Sequence, residues 1–218
     1  MSNAPRRHAK HGPARREHDR FRPKDFEAFV GRMLSPGRTR WQKPARVLKA
    51  LGVRRGSIVA DIGAGPGYFT LPLARAVGAK GRVYAVDPGL PHLARLRERV
   101  MKAGTRNVTP VLGRGDDPHL PPRSCDIVLV VNTYHHFPNG PAFLRRAATA
   151  LRPGGVLAGI DFEKRETPFG PPVEHRVSRE EFLRAATKAG FRIVAEHRFL
   201  PHQYFVVLSP GTAGRRRG

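Results

Sequence analysis

Apolar positions fall into two rhythms along this chain. From Asp25, residues Phe26, Phe29, Val30, Met33 and Leu34 recur at i, i+3, i+4, i+7 and i+8, the spacing of one helix face. Asp25 is placed to cap that helix and Ser35-Pro36-Gly37 to end it. Pro44 opens a second helical stretch through Val47, Leu48 and Leu51, which Gly52 stops. Beyond it strands and helices alternate. Strands are predicted at 57–61, 82–87, 108–112, 126–131, 156–161, 191–199 and 204–208, and helices at 68–76, 92–103, 142–151 and 179–189. The run Ile127-Val128-Leu129-Val130-Val131 is apolar at every position, which suits a strand covered by helices on both faces of a parallel sheet. Only Leu200 to Gln203 separates the last two strands, too little for a crossover helix, so these two must run antiparallel. The predicted architecture is α/β: a doubly wound, seven-stranded sheet, mostly parallel, with an antiparallel last strand.

Charge changes the picture at the ends. The chain has 218 residues, with 40 Lys and Arg against 17 Asp and Glu, a formal net charge of +23. Thirteen of the basic and four of the acidic residues lie within 1–46, and Arg215–Arg217 add three more positive charges. Residues 1–24 are rich in Arg, His, Pro and Gly with almost nothing to bury, and are expected to form a disordered basic arm. Residues 25–43 then read as an N-terminal helix and lid segment, 44–208 as the core domain, and 209–218 as a basic tail. Such an arm either grips a polyanion such as nucleic acid by releasing counterions, weakly and salt-dependently, or merely solubilises the protein. No run approaches the roughly 20 apolar residues of a membrane span, and the N-terminus lacks the apolar segment of a secretory signal. The single cysteine, Cys125, excludes an internal disulfide and a multi-cysteine metal cluster. A cytoplasmic protein without a membrane span or resident metal is expected.

The chemistry concentrates after the first strand, in Val59-Ala60-Asp61-Ile62-Gly63-Ala64-Gly65-Pro66-Gly67. This loop joins a strand to a helix where open α/β sheets bind ligands, and its glycines let the backbone turn sharply and a ligand come close. Asp87 ends the next strand 20 residues after Gly67, placed to accept both hydroxyls of a ribose. A dinucleotide loop would set a pyrophosphate on the helix N-terminus. Asp61 inside this loop would repel a pyrophosphate and suits a cationic amino-acid moiety.

The pattern resembles motif I of the class I S-adenosylmethionine-dependent methyltransferases, a Rossmann-like superfamily. The resemblance spans roughly residues 44–208. Val83-Tyr84-Ala85-Val86-Asp87 is similar to the family's second motif, Gly115-Asp116-Asp117 to the segment after strand three, and Asp126–Val131 with Asn132-Thr133-Tyr134-His135-His136-Phe137 to the fourth motif. Leu151-Arg152-Pro153-Gly154-Gly155 resembles the turn before strand five. The resemblance implies S-adenosyl-L-methionine as cofactor, with Gly63, Gly65 and Gly67 in the cofactor loop, Asp61 near the methionine end and Asp87 on the ribose. Of the acidic pair, Asp116 is preferred over Asp117 for the adenine, and Asn132 approaches the sulfonium. Trp41 and Gln42 either fold over the cofactor as a lid or pack the N-terminal helix onto the domain.

Methyl transfer from a sulfonium requires alignment more than acid–base help, so a base is needed only where the nucleophile must lose a proton. His135 and His136, past strand four, are the candidates, with His135 ahead; the alternative is that one stacks on the cofactor or bonds the backbone. Tyr134 is a candidate cover for the adenosyl group or substrate. Asp161, ending strand five, would orient a substrate or a metal, or serve as a local cap. The segment after strand four lacks the prolines of base-amine methyltransferases, Cys125 lies on the wrong side for a cytosine C5 nucleophile, and arsenite methyltransferases need several cysteines. Its Tyr-His-His-Phe ending is more like small-molecule methyltransferases of ubiquinone and menaquinone biosynthesis. The expected enzyme methylates an O or N nucleophile of a small molecule. Two alternatives stay open: an RNA- or ribosome-associated methyltransferase using the basic tails, and a cofactor-binding protein without catalysis.

Overall fold

A computed structural model describes residues 25–211. The predicted arm at 1–24, and residues 212–218 of the predicted tail, lie outside the described residues. The chain opens with three short helices, α1 (Phe26–Met33), α2 (Arg38–Gln42) and α3 (Pro44–Ala50). There follow β1 (Ile58–Ile62), α4 (Thr70–Val77), β2 (Arg82–Asp87), α5 (Leu90–Lys102), β3 (Val108–Leu112) and β4 (Cys125–Val131). The second half holds α6 (Gly140–Ala150), β5 (Leu151–Phe162), α7 (Arg179–Lys188), β6 (Phe191–Glu196) and β7 (Gln203–Pro210). The local signals act as expected: Asp25 caps α1 through the Ala28 amide at 2.9 Å. Ser178 and Glu181 form a reciprocal capping box on α7, a feature worth about 1 kcal/mol.

The seven strands pair in the order β3-β2-β1-β4-β5-β7-β6. β1 to β5 are mutually parallel, whereas β7 runs antiparallel to both β5 and β6. The last strand of the chain is thus antiparallel and inserted one place in from the edge, because the short link from β6 folds it back between β6 and β5. β4 lies in the middle. Its Val128 and Val130 enter the core on one face with Phe143 and Phe182, and its Ile127, Leu129 and Val131 the core on the other with Leu73 and Phe205. An uninterrupted apolar run is what that two-sided burial demands, at about 1.5–3 kcal/mol per buried aliphatic side chain.

The largest departures from the sequence expectation lie in β5, β6 and α2. β5 starts at Leu151, inside the expected Arg-Pro-Gly-Gly turn: Leu151 pairs with Cys125, and a register shift before the Ile127–Val156 pair absorbs the turn as an exposed irregularity. β6 ends at Glu196 rather than 199. Helix α2 is too short and too polar to carry a period, yet it brings Arg38 and Trp41 to the mouth of the sheet. Among the described residues no helix is long and apolar enough to cross a membrane. Because β1 leads toward β2 on one side and β4 toward β5 on the other, the loops after these two strands part and open a crevice at their carboxyl ends.

Candidate active site

That crevice is a cavity of about 1280 Å³. A single small ligand commonly takes about 300–1,000 Å³, so there is room for two molecules side by side.

One end is made mostly of backbone. The amides of Gly63 and Ala64 both donate to Val86 O, at 2.8 and 3.0 Å, which binds the turn after β1 to the end of β2. Gly63 has φ +70°, and a Cβ there would overlap Thr133 Oγ1; glycine is required on both counts. Asp87, buried at the end of β2, takes the Gly65 amide on Oδ2 (2.8 Å) and the Gly89 amide and His92 Nδ1 on Oδ1 (2.8 and 2.9 Å). A carboxylate accepts about four hydrogen bonds, so capacity remains for a ligand. His92 Nε2 is buried without a partner among the described residues, and the His92 ring stacks on Phe26 and Phe29 of α1 at 5.6 and 5.1 Å. Helix α1 thereby roofs this end.

Asp61 is 3% exposed and accepts from Thr70 Oγ1 at 2.6 Å. Burial pushes its pKa up to about 6; the Thr70 bond and the positive charge of Arg38 oppose the rise, and Asp87 adds to it. Asn132 sits at φ +52°, a left-handed position that Asn tolerates, with its amide on Ile160 O. A line of amides runs behind it: Arg38 Nε donates to Gln42 Oε1, Gln42 Nε2 to Gln203 Oε1 at 3.1 Å, and Gln203 Nε2 to Asn132 Oδ1.

The other end is side chain. His135 lies on a single 3₁₀ turn after β4, and its Nδ1 meets Asp161 Oδ2 at 3.0 Å with both side chains almost fully buried. The carboxylate accepts, so Nδ1 carries the proton, and Nε2 is left without a hydrogen bond among the described residues. The neighbouring His136 ring is 4.1 Å away; burial first, then the proximity of His135, lowers its pKa to about 4. Trp41 stacks on Phe169 at 5.2 Å and tilts against Phe162 at 5.5 Å, giving this end an aromatic wall. Phe169 is carried by the 163–177 loop, which Arg176 holds from inside. Its guanidinium donates to the carbonyls of Pro171, Glu163, Arg165 and Phe169 at 2.6–3.2 Å and to Thr167 Oγ1 at 2.9 Å, without a carboxylate partner among the described residues.

Of the residues expected from sequence, Asp61, Gly63, Gly65, Asp87, Asn132, His135, His136 and Trp41 line one cavity. Three of the residues expected to touch the cofactor stand outside its walls. Gly67 (φ +88°) faces Leu96, where a Cβ would collide, and so packs the loop onto α5. Gln42 is fully buried as the link between Arg38 and Gln203. Asp116, preferred for the adenine, instead accepts the Asn139 amide at 3.1 Å ahead of α6; Asp117 is the one in the wall, its oxygens on the His119 amide and on Arg146. Tyr134 is no cover either: it is buried against Phe182 at 4.7 Å. Arg38, the partnership of Asp161 with His135, and the Arg176 pin escape a reading by motif, since each joins segments far apart in sequence.

Comparison with known proteins agrees with this geometry. Residues 59–155 match the family described as "Methyltransferase domain". The chain is 33% identical over 114 residues to the protein-L-isoaspartate O-methyltransferase of Ignicoccus hospitalis, covering 52% of this chain and 51% of that protein. It is 29% identical over 129 residues to the demethylmenaquinone methyltransferase of Listeria welshimeri, covering 59% and 54%. A solved SAM-dependent methyltransferase from Aquifex aeolicus superposes with a TM-score of 0.80 at 29% identity, covering 85% of this chain and 98% of that one. The matched segment spans about half the length of these two curated relatives. The chain thus carries a methyltransferase domain over residues 59–155, on the fold of the S-adenosylmethionine-dependent methyltransferase superfamily. The cofactor of that superfamily is S-adenosylmethionine, and the walls fit it: a glycine channel that a Cβ would close, spare acceptor capacity on Asp87, and a carboxylate at Asp61 for a cationic end.

Proposed function

We propose that this protein transfers a methyl group from S-adenosylmethionine to a hydroxyl or amine of a small, flat, largely apolar molecule. The observation that carries this reading is the His135–Asp161 pair at 3.0 Å, set at the aromatic end of a cavity large enough for cofactor and acceptor together. The relatives differ in acceptor, one being named for protein L-isoaspartate and the other for demethylmenaquinone, so the walls themselves are the better guide to substrate class. Trp41, Phe162 and Phe169 offer faces to a ring.

When bound, S-adenosylmethionine supplies an electrophilic methyl carbon on a leaving group that needs no further activation. Gly63, Gly65 and Asp87 would hold the adenosyl portion, and the aromatic wall would lay the acceptor ring so that its heteroatom faces both the methyl carbon and His135 Nε2. Asp161 keeps His135 in the tautomer with Nε2 free, so that Nε2 takes the proton as the hydroxyl becomes a nucleophile. His136, held neutral by its lowered pKa, can accept or donate a hydrogen bond to the acceptor without competing for the proton. The roof from α1 and the 163–177 loop excludes water.

The test is transfer of a labelled methyl group to a panel of phenols, hydroquinones and aromatic amines. For an acceptor found there, His135→Ala lowers kcat by about 10²–10⁴-fold while S-adenosylhomocysteine affinity stays within twofold. Equal kcat in wild type and variant would remove His135 from the chemistry.

A further inference from the structure

Charge is spread unevenly over the folded domain. Residues 44–86, which form α3, β1, α4 and most of β2, hold seven Lys and Arg against one acid, Asp61. Asp61 is buried in the crevice and cancels nothing at the surface, whereas all seven cations are exposed. None of the seven forms an ion pair with a carboxylate among the described residues. Residues 161–196, which carry α7 on the opposite face of the sheet, hold seven of each sign, and Lys164 and Arg179 there are paired with Glu181 and Glu196. The fold gathers the unpaired cations. The loops before β1, β2 and β3 meet at the carboxyl end of α4: the Gly56 amide donates to Val77 O at 2.8 Å and the Arg82 amide to Ser57 O at 3.1 Å. Asn107 Nδ2 donates to Ala74 O and to Gly78 O, each at 2.8 Å. Arg55 lies across Gly78, where a Cβ would come within 3.4 Å of its Nη1. Arg54, Arg55, Lys80, Arg82 and the exposed Arg106 therefore share one corner, with Lys49 beside it on α3.

The repulsion reaches the next helix: burial first, then the charges of Arg75 and Arg95, holds the Arg99 guanidinium of α5 below its usual pKa. Fixed like charges at this density attract a polyanion, which releases its counterions on docking. The corner stands at the amino ends of the parallel strands β1 to β3, about 15 Å along them from the crevice at their carboxyl ends. It is therefore a surface separate from the place of methyl transfer. The large exposed apolar side chains, Leu90, Met101, Phe169, Ile193 and Val194, all lie outside residues 44–86. A lipid surface is held by apolar anchors among the cations, whereas a sugar-phosphate backbone needs only spaced cations. We propose that this corner, built by the loops before β1, β2 and β3 at the end of α4, binds the phosphate backbone of a nucleic acid without reading its sequence. The surface belongs to the folded domain, not to the basic arm expected at 1–24, and the proposal rests on neither the cofactor nor the acceptor.

The test uses the full-length chain and two triple variants of equal net charge. Arg54→Gln with Arg55→Gln and Lys80→Gln clears the corner. Arg145→Gln with Arg184→Gln and Lys188→Gln removes three exposed cations from α6 and α7 on the opposite face. A fluorescein-labelled DNA duplex and a single-stranded RNA, both of mixed sequence, are titrated by anisotropy across roughly 50–200 mM salt. The corner variant should bind at least about tenfold more weakly than wild type, and the α6–α7 variant within about threefold. The slope of log affinity against log salt should become shallower by about 2–3 in the corner variant alone. Equal losses in the two variants would show that only net charge acts, and the proposal falls. Whichever probe wild type binds more tightly identifies the form of nucleic acid the corner takes. If vesicles of phosphatidylserine and phosphatidylcholine bind through those three residues and neither nucleic acid does, the partner is a lipid surface and the proposal is overturned. A second measurement needs no variant: in wild type, bound nucleic acid should shield Lys80 from acetylation by acetic anhydride and leave Lys188 as reactive as in the free protein. Equal shielding of both lysines, or of neither, overturns the assignment.

Discussion

The two ends of the cavity are built from different materials. At the glycine end the walls are main chain: the turn after β1 hangs on Val86 O, Gly65 donates to Asp87, and the one buried carboxylate at the end of β2 gathers two amides and His92. At the aromatic end the walls are side chains from four separate stretches, Trp41, His135, Phe162 and Phe169, and they meet only because β4, β5 and the 163–177 loop converge. Backbone walls suit the proposed cofactor end, and at Gly63, with its positive φ and Thr133 against it, they leave no room for a side chain. Side-chain walls can be exchanged one at a time, which suits the proposed acceptor end. The comparison predicts that damage at one end should leave the other nearly untouched.

The strongest way to break that separation is Asp87→Ala. It removes a proposed ribose acceptor and strands the Gly65 and Gly89 amides and His92 Nδ1. S-adenosylhomocysteine affinity should fall at least tenfold by calorimetry. The fluorescence of Trp41, the only tryptophan in the chain, should stay as in wild type. Unchanged affinity would place the cofactor elsewhere; a shifted Trp41 emission would show that the two ends are coupled.

A second prediction uses pH. Because burial raises Asp61 to about 6, the empty site takes up a proton there as pH falls through that value and loses the charge an ammonium needs. S-adenosylhomocysteine should therefore bind about tenfold more weakly at pH 5 than at pH 7. Asp61→Asn should be weak at both values, with the slope gone. The same shift has the opposite sign for the fold: a raised native pKa favours the folded state on the acid side, and that contribution is lost as pH rises through about 6. His136, whose lowered pKa acts in the opposite direction, cancels when the melting temperature of wild type is taken relative to Asp61→Asn; that difference should fall as pH rises from 5 to 7, and a rise would contradict the raised pKa of buried Asp61.

Legibility follows the same division. The glycine loop, Asp87 at the end of the next strand and the apolar run of β4 are local in sequence, and each has a local cause: a positive φ, a strand terminus, burial on both faces. Those could be read directly. Asp116 illustrates the limit. Two adjacent acids differ only in which way the chain turns, and the Asn139 amide, 23 residues away, draws Asp116 out of the wall while Arg146 steadies Asp117 in it. Gln42 and Arg38 illustrate another. Their positions depend on Gln203 and Tyr68, and no spacing rule joins 42 to 203. His135 was visible as a candidate and Asp161 as a lone acid; only the pairing of β4 with β5 sets them 3.0 Å apart.

The smallest effect expected at the cofactor end is also the sharpest test of the aromatic end. Arg176 is 4% exposed, and its guanidinium answers four backbone carbonyls of a loop rich in proline, where few amides are available to do so. Its Cζ also lies 5.2 Å from the centroid of Phe162, so one side chain fixes both the loop and part of the wall. Arg176→Gln cannot span those partners. The carbonyls would turn toward water, at roughly 1–3 kcal/mol for each group left buried and unmet, and Phe169 would move off Trp41. Trp41 emission should shift to longer wavelength and acrylamide should quench it more readily, while S-adenosylhomocysteine affinity stays within twofold. Arg176→Lys, with three donors but no planar fork, should fall between the two. An Arg176→Gln protein with wild-type Trp41 emission would mean that the loop holds its place without the pin, and that the aromatic wall is set by Trp41 and Phe162 alone.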